Sequence, residues 1–77
     1  MNGVEARRAS ENGYEVDVII DPDHWRVRIR DPEGSAVAER ECRDAGEARS
    51  YASTVRQHIY WLSAPKFREY YRLPEPG

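Results

Sequence analysis

The sequence predicts an α+β domain, a three-stranded antiparallel β-meander packed on one long α-helix, with a short C-terminal helix (βββα(α)). Two apolar series alternate with a period of two: Tyr14, Val16, Val18 and Ile20, then Trp25, Val27 and Ile29. Further along, Ala48, Ala52, Val55, Ile59 and Leu62 recur at spacings of four, three, four and three, which is one face of a helix that Pro65 ends.

The elements follow in order. Residues 1–13 mix charge, Ala, Ser and Gly without apolar periodicity and read as a flexible N-terminal arm. A single domain then spans 14–73, with 74–77 an extended tail. The first strand, Tyr14 to Ile20, ends at Asp21-Pro22-Asp23-His24, where Pro presets φ and the Asp side chains accept local backbone hydrogen bonds. The second strand, Trp25 to Arg30, carries Trp25, Val27 and Ile29 on one face and Arg26, Arg28 and Arg30 on the other. Asp31-Pro32-Glu33-Gly34 forms the next turn, with Gly34 free to adopt positive φ. Ser35 to Arg43 is a weaker third strand, in which Ala36, Ala38 and Cys42 share the core face.

Asp44-Ala45-Gly46-Glu47 has the spacing of a capping box, so the long helix starts near Ala45 and runs to Leu62. Pro65 disfavours helical geometry at Ala64 and suits a first helical turn, which predicts a second helix from Pro65 to about Arg72 carrying Phe67, Tyr70 and Tyr71.

Composition narrows the function. The chain has 77 residues and no apolar run near the roughly 18 to 20 residues that cross a bilayer. Its first twelve residues lack the apolar stretch of a secretory signal, and the single Cys42 forms no internal disulfide, so the expected location is cytoplasmic. Only nineteen large apolar or aromatic side chains lie between Tyr14 and Leu73, a thin supply for a stable monomer without disulfide or metal. Self-association is therefore expected, with the partner a second copy or another protein.

Twelve Lys and Arg against 14 Asp and Glu give a net charge of −2, so no global field attracts nucleic acid or an anionic membrane. Residues 1–39 carry five basic against nine acidic side chains, and residues 40–77 seven against five. The candidate nucleic-acid surface is the strand row Arg26, Arg28 and Arg30, beside Trp25. Register weighs against it. Matching core faces across the first hairpin sets Glu15 opposite Arg30 and Asp17 opposite Arg28. A two-residue turn at Pro32 and Glu33 then pairs Ile29 with Ala36 and Val27 with Ala38, which brings Glu39 beside Arg26 and Glu41 beside His24.

Aromatic residues suggest a second surface. In one reading Trp61 and Phe67 bury each other across the Pro65 break; in the other Trp61, Tyr60, Arg56, Tyr70 and Tyr71 form an exposed patch for a partner protein or a second copy. Chemistry of other kinds has little basis in the sequence. Cys42 beside Arg43, and His58, read as structural positions. His24 with Asp21 and Asp23 is first a turn sequence rather than a metal site. No phosphate-binding Gly loop, paired-Cys spacing or nucleophile elbow occurs. No catalytic residue, cofactor, metal or small-molecule substrate is therefore assigned, and no membrane partner.

The stretch Trp25-Arg26-Val27-Arg28-Ile29-Arg30-Asp31, leading into a Gly-containing turn and an Ala-rich helix, resembles the small arm-type DNA-binding modules that precede phage-type integrase catalytic domains. The resemblance covers roughly residues 14–60 and implies a three-stranded sheet that faces DNA. Acidic Glu15, Asp17, Glu39 and Glu41 stand where such a sheet has neutral or basic residues, so no site residues carry over. The function expected from the residues is a small non-enzymatic cytosolic protein-interaction module that self-associates. The alternative is a DNA-binding accessory protein using Arg26, Arg28 and Arg30.

Overall fold

A computed structural model describes residues 12–75. Three antiparallel strands form one sheet in the order of the chain: β1 (Glu15–Ile20), β2 (Trp25–Arg30) and β3 (Ala36–Cys42), followed by helices α1 (Ala45–Trp61) and α2 (Ala64–Tyr71). The α+β meander expected from the alternating and helical periodicities is the observed fold. No described helix is long and apolar enough to cross a membrane.

The β1–β2 register is the expected one, with Val16 opposite Ile29, Val18 opposite Val27 and Ile20 opposite Trp25. The β2–β3 register differs from expectation by two residues: Ile29 faces Ala38 and Val27 faces Arg40. Two local features each contribute one residue. Asp31 closes a five-residue loop rather than a two-residue turn, its Oδ1 accepting from the Glu33 and Ser35 amides at 2.9 Å each, while the Asp31 amide donates to the Ser35 carbonyl. A bulge at Val37 then adds a second residue, since Arg30 faces Ala36 but Ile29 faces Ala38. Because the shift is even, every β3 side chain from Ala38 onward keeps the face it was expected to have.

One sheet face is covered by α1, which packs across all three strands. Its buried stripe is Ala48, Ala52, Val55 and Ile59. Val27, Cys42, Ala48 and Ala52 form one buried group, and Tyr14, Ile29, Val55, Ile59 and Phe67 the other. Arg40 falls on the covered face, and its guanidinium lies 4.5 Å from the Tyr51 ring centroid.

Helix α1 begins with the Asp44 half of the capping box formed, while the Glu47 side chain reaches one residue past the N-cap amide. Asp44 Oδ1 accepts from the Glu47 amide at 2.8 Å, while Glu47 reaches back to the amide of Arg43, at 2.7 Å. The break before α2 falls at Leu62 and Ser63, one residue earlier than the Pro65 argument suggested. Ser63 is the N-cap in extended geometry and Pro65 sits in the first turn behind Ala64.

The expected arm over residues 1–13 lies outside the described residues up to position 11. Its last two residues, Asn12 and Gly13, are packed. Asn12 is 7% exposed; its Nδ2 donates to the Leu62 carbonyl at 3.1 Å and its Oδ1 accepts from the Tyr14 amide at 2.9 Å. Gly13 has φ +83° against Pro32. Of the tail, Pro74 and Glu75 are exposed, and residues 76–77 lie outside the described residues.

Candidate functional site

The sheet face opposite α1 holds the arginine row, and acidic side chains occupy all three arginines. Arg30 donates from Nε to Asp17 Oδ2 at 2.7 Å and from Nη2 to Glu15 Oε1 at 2.6 Å. Arg26 spans two carboxylates, with Nη2 to Asp21 at 2.9 Å and Nη1 to Glu39 at 3.1 Å, while Arg28 Nε donates to the other oxygen of Glu39 at 3.1 Å. His24 Nδ1 lies 3.4 Å from Glu41. The Arg30 hydrogen bonds hold the Asp17 carboxyl below its ordinary pKa, and Arg28, with Arg26, does the same for Glu39. Three arginines thus share the face with Glu15, Asp17, Asp21, Glu39 and Glu41, a set with an excess of negative charge.

The aromatic residues expected at a partner surface fall into two groups. Trp61 and Tyr60 are 70% and 59% exposed. With Arg56 they wall a groove of about 640 Å³ between the C-terminal half of α1 and the start of β1, lined also by Tyr14 just before the strand, by Val16, and by Glu15 and Asp17 with their β2 partner Arg30. Trp61 also lines a smaller cleft with Asn12 and Ser63.

Tyr70 and Tyr71 form the other group, around His58. The His58 and Tyr70 ring centroids lie 4.4 Å apart, those of Tyr70 and Tyr71 4.9 Å, and the Tyr71 hydroxyl is 2.6 Å from His58 Nδ1. Burial, with Tyr51 and Tyr70 nearby, pushes the Tyr71 hydroxyl up to about 12. The alternative in which Trp61 and Phe67 bury each other is not the observed arrangement. Phe67 is fully buried between Tyr14 and Tyr71, with ring centroids 4.9 Å away in each case, and Trp61 stands outside the core.

The divergence follows from helical geometry. Arg56 and Tyr60 are four residues apart and share the flank of α1 nearest β1. His58, two residues before Tyr60, is turned about 200° from it and meets α2 instead. Cys42 is buried beneath α1, and neither it nor His58 lines the groove. Among the described residues, no group of three His, Cys, Asp or Glu is placed to hold a metal ion.

Three participants were not singled out from the sequence. Val16 and Ile59 supply the apolar floor of the groove, but the alternating and helical patterns mark them only as core residues. Asn12, whose bond to Leu62 fixes the chain entry beside Trp61, carries no sequence signal beyond its turn propensity. No family model, curated protein or solved structure matches the chain.

Proposed function

We propose that the chain is a small, non-enzymatic, cytosolic protein-interaction module that associates with itself to form a homodimer. The observation that carries this reading is the groove between β1 and α1, where Trp61 and Tyr60 stand largely in solvent beside an apolar floor. Trp, Tyr and Arg are the residues most enriched at the energetic centres of protein interfaces, and Trp61, Tyr60 and Arg56 occur here together. The thin core supports the same reading, because a chain with this few large apolar residues gains margin by covering such a surface. The groove also carries both signs of charge, Arg56 on α1 and the Glu15 and Asp17 carboxylates on β1.

The DNA-binding alternative requires Arg26, Arg28 and Arg30 to exchange carboxylates for phosphates on a face that carries more acids than bases. The ion pairs therefore favour the protein-interaction reading. Size-exclusion chromatography with light scattering at about 10 μM tests it, since association is concentration-dependent. The expected mass is about twice the 9.0 kDa of one chain, and a folded species of 9.0 kDa overturns the reading.

A further inference from the structure

We propose that two copies join strand to strand, β1 of one chain pairing antiparallel with β1 of the other about a two-fold axis at Val18, to give one six-stranded sheet. The inference rests on the self-association reading above and adds the contact and its register.

The sheet has two edges, β1 and β3. Bulges, prolines and inward charges are the usual means by which an edge is made unfit for pairing. On β3 the bulge at Val37 breaks the ladder, and Arg40 is turned to the covered face. The six residues of β1, Glu-Val-Asp-Val-Ile-Ile, contain no bulge, proline or lysine.

Backbone polarity can be read from the first hairpin. The Asp21 amide donates to the His24 carbonyl at 2.9 Å. Bonded and non-bonded pairs alternate along an antiparallel ladder, so Ile19, Asp17 and Glu15 turn their N–H and C=O groups toward β2. Val16, Val18 and Ile20 therefore direct theirs to the open edge.

Of the alignments that keep these groups face to face and the α1 sides of both sheets on one side, three make more than one bonded pair within β1. Centring on Asp17 places two Asp17 carboxylates directly opposite each other. Centring on Ile19 sets Asp17 against Asp21, much as the Val18 alignment sets Glu15 against Asp21, and makes only two bonded pairs. Centring on Val18 pairs Val18 with Val18, and Val16 with Ile20 of the second copy in both directions, which makes three bonded pairs instead of two and about six main-chain hydrogen bonds.

The Val18 alignment also matches the side chains. Ile20, 64% exposed in the single chain, comes to lie beside Val16 of the second copy. On the charged face Asp17 lies opposite Ile19 of the second copy, with Arg28 of its own chain on one side and Arg26 of the second copy two strands away on the other. Glu15 lies opposite Asp21 of the second copy, each held by its own arginine. Tyr60 and Trp61 lie at the Tyr14 end of β1, so each groove comes beside the Ile20 end of the second copy's β1.

Cysteine cross-linking and edge-blocking variants of the full chain test the register, each with molar mass measured by light scattering and folding by circular dichroism. The Val18 alignment makes Asp17 and Ile19 a non-bonded cross-strand pair with Cα atoms about 4.5 Å apart, within disulfide reach. In a Cys42→Ala background, Asp17→Cys mixed with Ile19→Cys is expected to give an oxidised heterodimer, while neither variant alone cross-links. Val18→Pro removes an N–H from the open edge without touching the β2 ladder, and Ile20→Lys adds a charge at an exposed position; both are expected to be folded monomers at concentrations where the parent is dimeric. Should Val18→Pro fail to fold, Ile20→Lys decides.

Cross-linking of Asp17→Cys alone or Ile19→Cys alone overturns the register. A dimeric parent with dimeric edge variants and no cross-link overturns strand pairing while leaving self-association intact. A monomeric parent overturns both.

Discussion

Asp17 faces Arg28 directly across the β1–β2 ladder, yet its carboxylate is held by Arg30, whose Nε and Nη2 donate to the two Asp17 oxygens at 2.7 and 3.0 Å. The diagonal choice leaves Arg28 to Glu39 on the other side, and Glu39 in turn shares itself with Arg26. Charges on this face thus form two linked groups, Arg30 with Asp17 and Glu15, and Arg28 and Arg26 with Glu39 and Asp21, and the most basic stretch of the sequence presents no free cationic row to a phosphate backbone.

The pairing makes stability fall in acid. Asp17 and Glu39 have folded-state pKa values below their ordinary 3.8 and 4.5, so their contribution is fully present above those values and is lost as pH falls through the depressed ones. Thermal melts from pH 7 down to about pH 2 should show the midpoint dropping below about pH 4, as acids released from their arginines protonate. Asp17→Asn should lower the pH 7 midpoint by no more than about 5 °C, because the pair is largely solvated, and should flatten the acid limb.

Tyr71 produces the opposite limb. Its folded-state pKa near 12 lies above the ordinary 10.0, so the neutral hydroxyl contributes stability that is complete below pH 10 and is lost between pH 10 and 12. Urea unfolding at pH 9 and pH 11 should show a larger fall for the parent chain than for Tyr71→Phe. An equal fall in both would remove the burial of this hydroxyl as its cause.

Phe67 and Trp61 should behave as unlike residues. Phe67→Ala empties a fully buried site and is expected to cost about 3 to 5 kcal/mol, enough to unfold much of a domain this small. Trp61→Ser should leave the unfolding free energy of the isolated chain within about 0.5 kcal/mol, since the indole stands 70% exposed. Denaturant unfolding at high dilution measures both.

Much of this arrangement was legible in the sequence, and the misses have local causes. Alternation from Tyr14 to Arg30 placed the first hairpin and its register, because a slip of one residue would have turned Val16, Val18 and Ile29 out of the core. The spacing from Ala48 to Leu62 and the Asp44 cap placed α1. The β2–β3 register was not readable, since Asp31 closing a longer loop and Val37 entering a bulge leave the composition of the segment unchanged. Direction was also hidden at the end of α1. Trp61 and Phe67 are near in sequence, but Ser63 caps α2 so that Phe67 turns to Tyr14 while Trp61 remains with β1 and the groove.

The entry of the chain is a further point where structure adds to pattern. Asn12→Ala removes both hydrogen bonds at the buried entry and should cost about 1 to 3 kcal/mol. Gly13→Ala should be more damaging than Gly34→Ala, although both glycines have positive φ. An added Cβ at Gly13 would meet Pro32 Cγ at 2.9 Å, whereas at Gly34 it meets nothing within 4 Å. Equal costs for the two alanines would show that Gly13 is not packed against Pro32.

Binding to DNA should be weak. A fluorescently labelled random duplex titrated at about 50 mM salt, where phosphate contacts are strongest, is expected to show no saturable binding below about 10 μM. Saturation in that range, relieved by salt and by Arg28→Gln, would show that the ion pairs of the sheet open to phosphate.

Self-association through the Tyr60 and Trp61 groove is the central claim, and sedimentation equilibrium tests it most directly. Over about 1 to 300 μM, the parent chain should rise from 9.0 kDa toward twice that mass, and Trp61→Ser should shift the midpoint upward by about tenfold or more. A parent chain that stays folded at 9.0 kDa throughout, or a Trp61→Ser midpoint equal to the parent's, would contradict it.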